Sequence, residues 1–157
     1  MKKISFCIAA ILLTTLSFAQ KIDKSQVPPT VKLTYFNKIH DTVAMVPSWE
    51  LTGEIYKASF VKGEMTANVS IKQNGEWIKT VWGIPYQYVP QKIKDNVATS
   101  YAGFKVTKSS IQYRSDGDYY VIDIKKKKDV KSLLYNLKSE FIKIDSDLIS
   151  PVPVPKP

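Results

Sequence analysis

Two stretches of the chain change their apolar spacing in the same order. Apolar residues first recur every fourth position, as Val31, Tyr35 and Ile39 in one stretch and Ile93, Val97 and Tyr101 in the other. That spacing lays a single stripe along a helix, and Pro28-Pro29 and Pro90 stand where a first helical turn leaves its N–H unbonded anyway. Gly103 follows the second stripe as a helix-ending glycine. The period then drops to two. Tyr56, Ala58 and Phe60, like Tyr120, Ile122 and Ile124, fall on one face of a strand. Ile55, Lys57 and Ser59, like Tyr119, Val121 and Asp123, fall on the other. Thr52-Gly53-Glu54, Gln73-Asn74-Gly75 and Asp116-Gly117-Asp118 supply hairpin turns between alternating segments.

The two stretches also align with one another. At an offset of 64, Gly53 meets Gly117, Tyr56 meets Tyr120, Glu76 meets Glu140, Trp77 meets Phe141 and Ile78 meets Ile142. Upstream the offset is 62, where Val27-Pro28 meets Val89-Pro90. Matched turns and matched apolar phases predict an α+β tandem repeat of two units, each a helix followed by a four-stranded antiparallel sheet, with both helices on one sheet face. A unit of about 60 residues buries little apolar surface alone, so the two sheets are expected side by side over a continuous core. The expected organisation is an N-terminal segment at 20–26, a first unit at 27–82, a linker at 83–88, a second unit at 89–146 and a Pro-rich tail at 147–157.

The first residues carry an address rather than a fold. Lys2-Lys3, the apolar run Ile4–Leu16 and Ser17-Phe18-Ala19 read as a signal peptide over 1–19 cleaved before Gln20. The expected location is therefore periplasmic or secreted. The single cysteine, Cys7, lies inside that segment, so the processed chain has no thiol for a disulfide, a zinc ligand or a nucleophile. The formal net charge is +9, and Lys2 and Lys3 leave with the leader. A surplus of this sign favours anionic partners. Nucleic acid is a poor candidate outside the cytoplasm, and residues 20–157 contain no apolar run near the ~20 residues of a membrane helix.

W-E-L at 49–51, Y-K-A-S-F at 56–60, V-S-I at 69–71, N-G-E-W-I-K-T at 74–80 and the V-P-x-x-I opening at 89–93 resemble the PepSY-like, β-lactamase-inhibitor-like secreted proteins of Gram-negative bacteria. The resemblance implies a periplasmic, non-enzymatic binding or inhibitory module, and it brings no catalytic residue with it. Lys138-Ser139, where the first unit has its glycine turn, and the basic charge depart from the pattern.

Catalytic chemistry finds little support in the residues. His40, the single histidine, sits at the end of the first helix beside Lys38 and Asp41, where a cation complements the helix dipole. Glu76 and Glu140 are repeat partners, but corner glutamates are normally solvated. Asp116/Asp118 and Asp145/Asp147 suit turns better than cation loops, and no phosphate-cradling glycine motif occurs. No cofactor and no metal are expected. Lys125–Lys128 reads either as a patch for phosphate or acidic glycan or, more simply, as a device against edge pairing.

A binding face is the better expectation. If Ile78, Trp82, Ile142 and Ile144 point to the core, strict alternation turns Trp77 and Phe141 outward. They would join Tyr119, Val121 and Leu134 on the uncovered sheet face, rimmed by Lys57, Lys79, Lys125 and Lys143, a composition typical of protein recognition. The leading partner is an unidentified protein of the periplasm or envelope. The alternative is an envelope sensor binding an anionic small ligand, lipid or glycan. Tyr56 and Tyr120 are expected as paired core anchors.

Overall fold

The computed structural model describes residues 19–39 and 46–145. The expected leader (1–19, of which only Ala19 is described), His40 with Asp41, the last residue of the expected second unit (146) and the expected tail (147–157) therefore lie outside the described residues.

Strand β1 (Gln20–Ile22) and a single 3₁₀ turn (Lys24–Gln26) precede helix α1 (Pro29–Lys38). Asp23 caps that turn, accepting from the Ser25 backbone N–H at 2.8 Å. Strands β2 (Ser48–Thr52), β3 (Ile55–Lys62), β4 (Met65–Lys72) and β5 (Trp77–Gly83) follow. A second 3₁₀ turn (Tyr86–Tyr88), helix α2 (Gln91–Ser100) and strands β6 (Lys105–Arg114), β7 (Gly117–Lys126), β8 (Asp129–Asn136) and β9 (Phe141–Ile144) complete the order. The nine strands among the described residues form one antiparallel sheet in sequence order. The expectation of two sheets side by side is corrected here. β5 pairs directly with β6, from Lys79↔Arg114 to Gly83↔Ser110, so backbone hydrogen bonds and not only side-chain packing join the halves. The added strand β1 pairs with β2, Ile22 standing opposite Trp49.

Both helices cover the same face. Val31 and Tyr35 of α1 are buried with Trp49, Tyr56, Ala58, Phe60, Ala67, Val69 and Ile71. Ile93 and Val97 of α2 are buried with Ile122, Ile124, Leu133 and Tyr135. These are two clusters under one sheet instead of one continuous core. Trp82 packs on the first cluster and Ile111 on the second, and the two stand opposite each other across the β5–β6 seam. Tyr56 is buried, whereas Tyr120 is half-buried against the second cluster.

Helix α1 comes close to the β4–β5 connection, and the sequence there allows it. Gly75 has φ +88°, a conformation that favours glycine, and a Cβ on it would meet the Thr30 side chain at 3.3 Å. Thr34 donates from its hydroxyl to the Gly75 carbonyl at 2.7 Å.

Tyr35 is the centre of the first cluster, with edge-on ring contacts to Trp49 at 5.4 Å and Phe60 at 6.3 Å. Its hydroxyl is buried with no partner among the described residues, and the same burial raises its pKa. An unpaired buried hydroxyl costs stability. Tyr35→Phe is therefore expected to stabilise the fold by about 1 kcal/mol, read as a higher urea midpoint at unchanged slope.

Candidate functional site

The face away from the helices is a grid of cross-strand rows. One row runs Glu50–Lys57–Ser70–Lys79–Arg114 from β2 to β6. The next runs Ser59–Asn68–Val81–Gln112–Tyr119–Asn136. A third runs Gly83–Ser110–Val121–Leu134–Lys143. Lys125 stands opposite Lys105 at the far end of β7.

Seven of the nine residues expected on this face are on it: Lys57, Lys79, Tyr119, Val121, Lys125, Leu134 and Lys143. Val121 and Leu134, at 2% and 1% exposure, are nevertheless closed to solvent. Trp77 and Phe141 are on the opposite, helix-covered side, which corrects the expectation that they face outward. Trp77 stands opposite core residue Ile71, and Phe141 opposite core residue Tyr135. A register shift between Ser70 and Ile71 leaves Ile78 as an extra residue in β5, and a shift between Leu134 and Tyr135 leaves Ile142 extra in β9. One inserted residue reverses the alternation beyond it. Trp77 accordingly packs on the first cluster, its indole N–H donating to buried Thr80 at 3.0 Å. The Lys38 ammonium of α1 lies 4.1 Å from the indole ring centre. Phe141 makes an edge contact with Tyr135 at 5.5 Å. Ile142 and Ile144, expected in the core, are about half exposed because β9 is an edge strand.

The polar centre of the face was not singled out in the sequence. Arg114 donates from Nε and Nη2 to Gln112 Oε1 at 3.1 and 2.9 Å. Its Nη1 reaches Asp145 Oδ2 at 3.4 Å, with the two side chains only 15% and 6% exposed. Gln112 Nε2 donates onward to the Ser110 hydroxyl at 3.5 Å, and the guanidinium lies 5.3 Å from the Tyr119 ring centre. Ser132 donates to Asp123 at 2.6 Å. Alternation of Gln112 and Arg114 with Ile111 and Tyr113 was the signal available for this strand. Lys79, directly opposite Arg114, has its pKa lowered, first by burial and then by the guanidinium charge, with Asp145 acting the other way.

The repeat-related glutamates occupy hairpin corners. Glu76 accepts from Lys72 Nζ at 2.8 and 2.9 Å, and these bonds hold its carboxyl below the usual range. Glu140 accepts from Asn136 Nδ2 at 2.7 Å. Both are exposed, and each is occupied by the residue four positions before it. Among the described residues no group of three or more His, Cys, Asp or Glu side chains is placed to hold a metal ion.

A nine-stranded antiparallel sheet with two helices on one face defines an α+β protein of the β-lactamase-inhibitor-like kind. The family described as “Putative beta-lactamase-inhibitor-like, PepSY-like” matches residues 54–143, and the chain belongs to it. Similar folds occur in a BLIP-like protein from Bacteroides fragilis (TM-score 0.63, 14% identity, 75% of this chain and 84% of that one). A DUF2874 family protein from Bacteroides ovatus is also similar (TM-score 0.62, 18% identity, 79% and 94%). So is a protein from Bacteroides eggerthii described as one of the “putative periplasmic proteins” (TM-score 0.60, 15% identity, 76% and 88%). No protein with a curated description matches the chain.

Proposed function

We propose that this chain is a non-enzymatic binding module of the periplasm or cell exterior, holding an acidic protein surface against the solvent-open part of the sheet face away from its helices. The observation that carries the reading is the row Lys57–Ser70–Lys79–Arg114. Lys79 and Arg114 are directly opposed like charges, an arrangement that weakens a sheet, and Lys79 is also partly desolvated. Asp145 already pairs with the guanidinium from within the protein, so the charge left for an anionic partner to meet is that of half-buried Lys79. Lys57 within the row, Tyr119 in the next row and Lys143 on β9 are at least partly open to solvent, whereas Val121 and Leu134 are buried. Family membership favours binding, and inhibition of an envelope or secreted enzyme is the form that such binding would take.

Export is supported by the Lys2-Lys3, Ile4–Leu16 and Ser17-Phe18-Ala19 pattern and by the periplasmic description of the similar B. eggerthii protein. No helix among the described residues is long and apolar enough to cross a membrane. Descent from a duplicated unit is supported by element positions. The 3₁₀ turns and the helices of the two halves are displaced by 62 residues, β4 and β8 by 64, and the extra residues Ile78 and Ile142 again by 64.

The test is affinity capture from envelope extract with the exported protein and with a Lys57→Gln/Lys79→Gln/Lys143→Gln variant. The variant should lose the captured protein at an unchanged melting temperature, and native capture should weaken toward ~0.5 M salt. Equal capture by both forms would show that the face is not the site.

A further inference from the structure

Three hairpins of this sheet turn through two-residue loops that begin at a positive φ. Gly53-Glu54 joins β2 to β3 with Gly53 at φ +57°, and Gly63-Glu64 joins β3 to β4 with Gly63 at φ +60°. Lys127-Lys128 joins β7 to β8, and Lys127 holds φ +57°. A side chain at that backbone angle is strained, whereas glycine is not. The sequence nevertheless places lysine there, 64 positions after Gly63, and replaces V-K-G-E at 61–64 by K-K-K-K at 125–128. This tip thus carries charge at a position where glycine would fit the turn better.

The surroundings add more of the same sign. Lys125 is directly opposite Lys105. Lys126 and Lys131 lie 5.7 and 5.6 Å from the ring centre of Phe104. Lys131 also pairs with Asp129 at 2.8 Å. Residues Lys125–Asp129 are all exposed. Protection of a sheet edge does not account for the run, because Lys125 belongs to a strand paired on both sides, with β6 through Lys105 and with β8 through Val130.

We propose that the β7–β8 tip is a docking point for an anionic phospholipid bilayer. Lys127 and Lys128 occupy the turn itself, Lys125 stands on the uncovered face, and Lys126 reaches the helix side near Phe104. Cations spread in several directions from a protruding turn suit a fluid plane of phosphates that rearranges around them. A glycan chain or an acidic peptide would be gripped better by charges lined along a groove. Each lysine near such a surface strengthens partitioning roughly fivefold at moderate salt, an effect that falls off within a Debye length. The site is separate from the Lys79–Arg114 row, so the two can be tested independently.

The experiment is cosedimentation of the exported protein with vesicles of phosphatidylglycerol and phosphatidylcholine, and with pure phosphatidylcholine. Binding is expected only to the mixed vesicles. Lys127→Gly should bind roughly fivefold more weakly while its melting temperature rises by about 3 °C. Lys127→Gly/Lys128→Gln should lose roughly 25-fold, and Lys57→Gln/Lys143→Gln, which removes as much charge elsewhere, should bind as the native protein does. Binding to pure phosphatidylcholine, equal losses in the two double variants, or a lower melting temperature for Lys127→Gly would each overturn the proposal. So would complete displacement of the vesicles by millimolar inorganic phosphate, which would assign the site to a soluble anion.

Discussion

Tyr135→Ala is expected to destabilise the protein by about 3–5 kcal/mol, the usual range for deleting a buried aromatic side chain. The ring is fully buried under α2, beside Ile122, Ile124 and Leu133. Its hydroxyl donates to Asn96 Oδ1 on that helix at 2.8 Å, and its ring edge meets Phe141 on β9 at 5.5 Å. One side chain thus links the second helix, the sheet and the edge strand. Urea denaturation measures the loss, and amide exchange should show α2 and β9 opening together. Tyr135→Phe keeps the ring and removes the hydrogen bond, so it should cost only about 1 kcal/mol. The two variants also separate in alkali. Burial pushes the Tyr135 pKa up to about 12, above the ~10 of an unfolded tyrosine. The neutral form is the one the fold favours. Its contribution is fully present below the unfolded value and declines as pH rises from there through the folded one. Tyr135→Phe should remove that decline, leaving a flatter stability profile between these two values. An unchanged profile would place the alkaline sensitivity elsewhere.

The second large effect is expected at Arg114. Arg114→Met should cost about 3 kcal/mol, the lower end for removing one member of a largely buried ion pair. The guanidinium supplies two hydrogen bonds to buried Gln112 and the ion pair to buried Asp145, and methionine of similar length replaces none of them. The loss is measurable by chemical denaturation. The same substitution should move the Lys79 pKa toward its ordinary value, since the opposing like charge goes while the burial stays. A stable Arg114→Met protein with an unmoved Lys79 titration would mean that the row is held together by something other than this network.

Much of the fold was legible from local chemistry. Helix stripes at a spacing of four, alternation at a spacing of two and glycine-bearing turns are imposed by backbone geometry within a few residues. They placed both helices, the turns at 52–54, 73–75 and 116–118, and Tyr56, Ile122 and Ile124 on the helix-covered face, but not the two-residue turns at Gly63-Glu64 and Lys127-Lys128. The family followed from short motifs of the same local kind. Where the reading failed, the cause was a residue that changes meaning only when a neighbouring strand is present. Ile78 and Ile142 look like ordinary members of an alternating strand, and nothing local marks either as an inserted position. Pairing with β4 and β8 decides it, and with it the side to which Trp77 and Phe141 turn. Ile144 was read as core for its apolarity, yet it lies on an outer strand, and strand position in a sheet is a property of the whole topology. The Arg114–Gln112–Asp145 network joins residues 31 apart in sequence, although β6 and β9 are three strands apart in the sheet, so only the three-dimensional course of the chain brings them together. The sequence by itself determined both helices, the alternating strands after them, the covered face and the basic character of the molecule, because each depends on contacts within a turn or a strand, whereas β1 was not among the expected elements. Register and edge position were decided only by the tertiary structure, because a bulge or a strand's place in the sheet depends on hydrogen bonds to residues far along the chain.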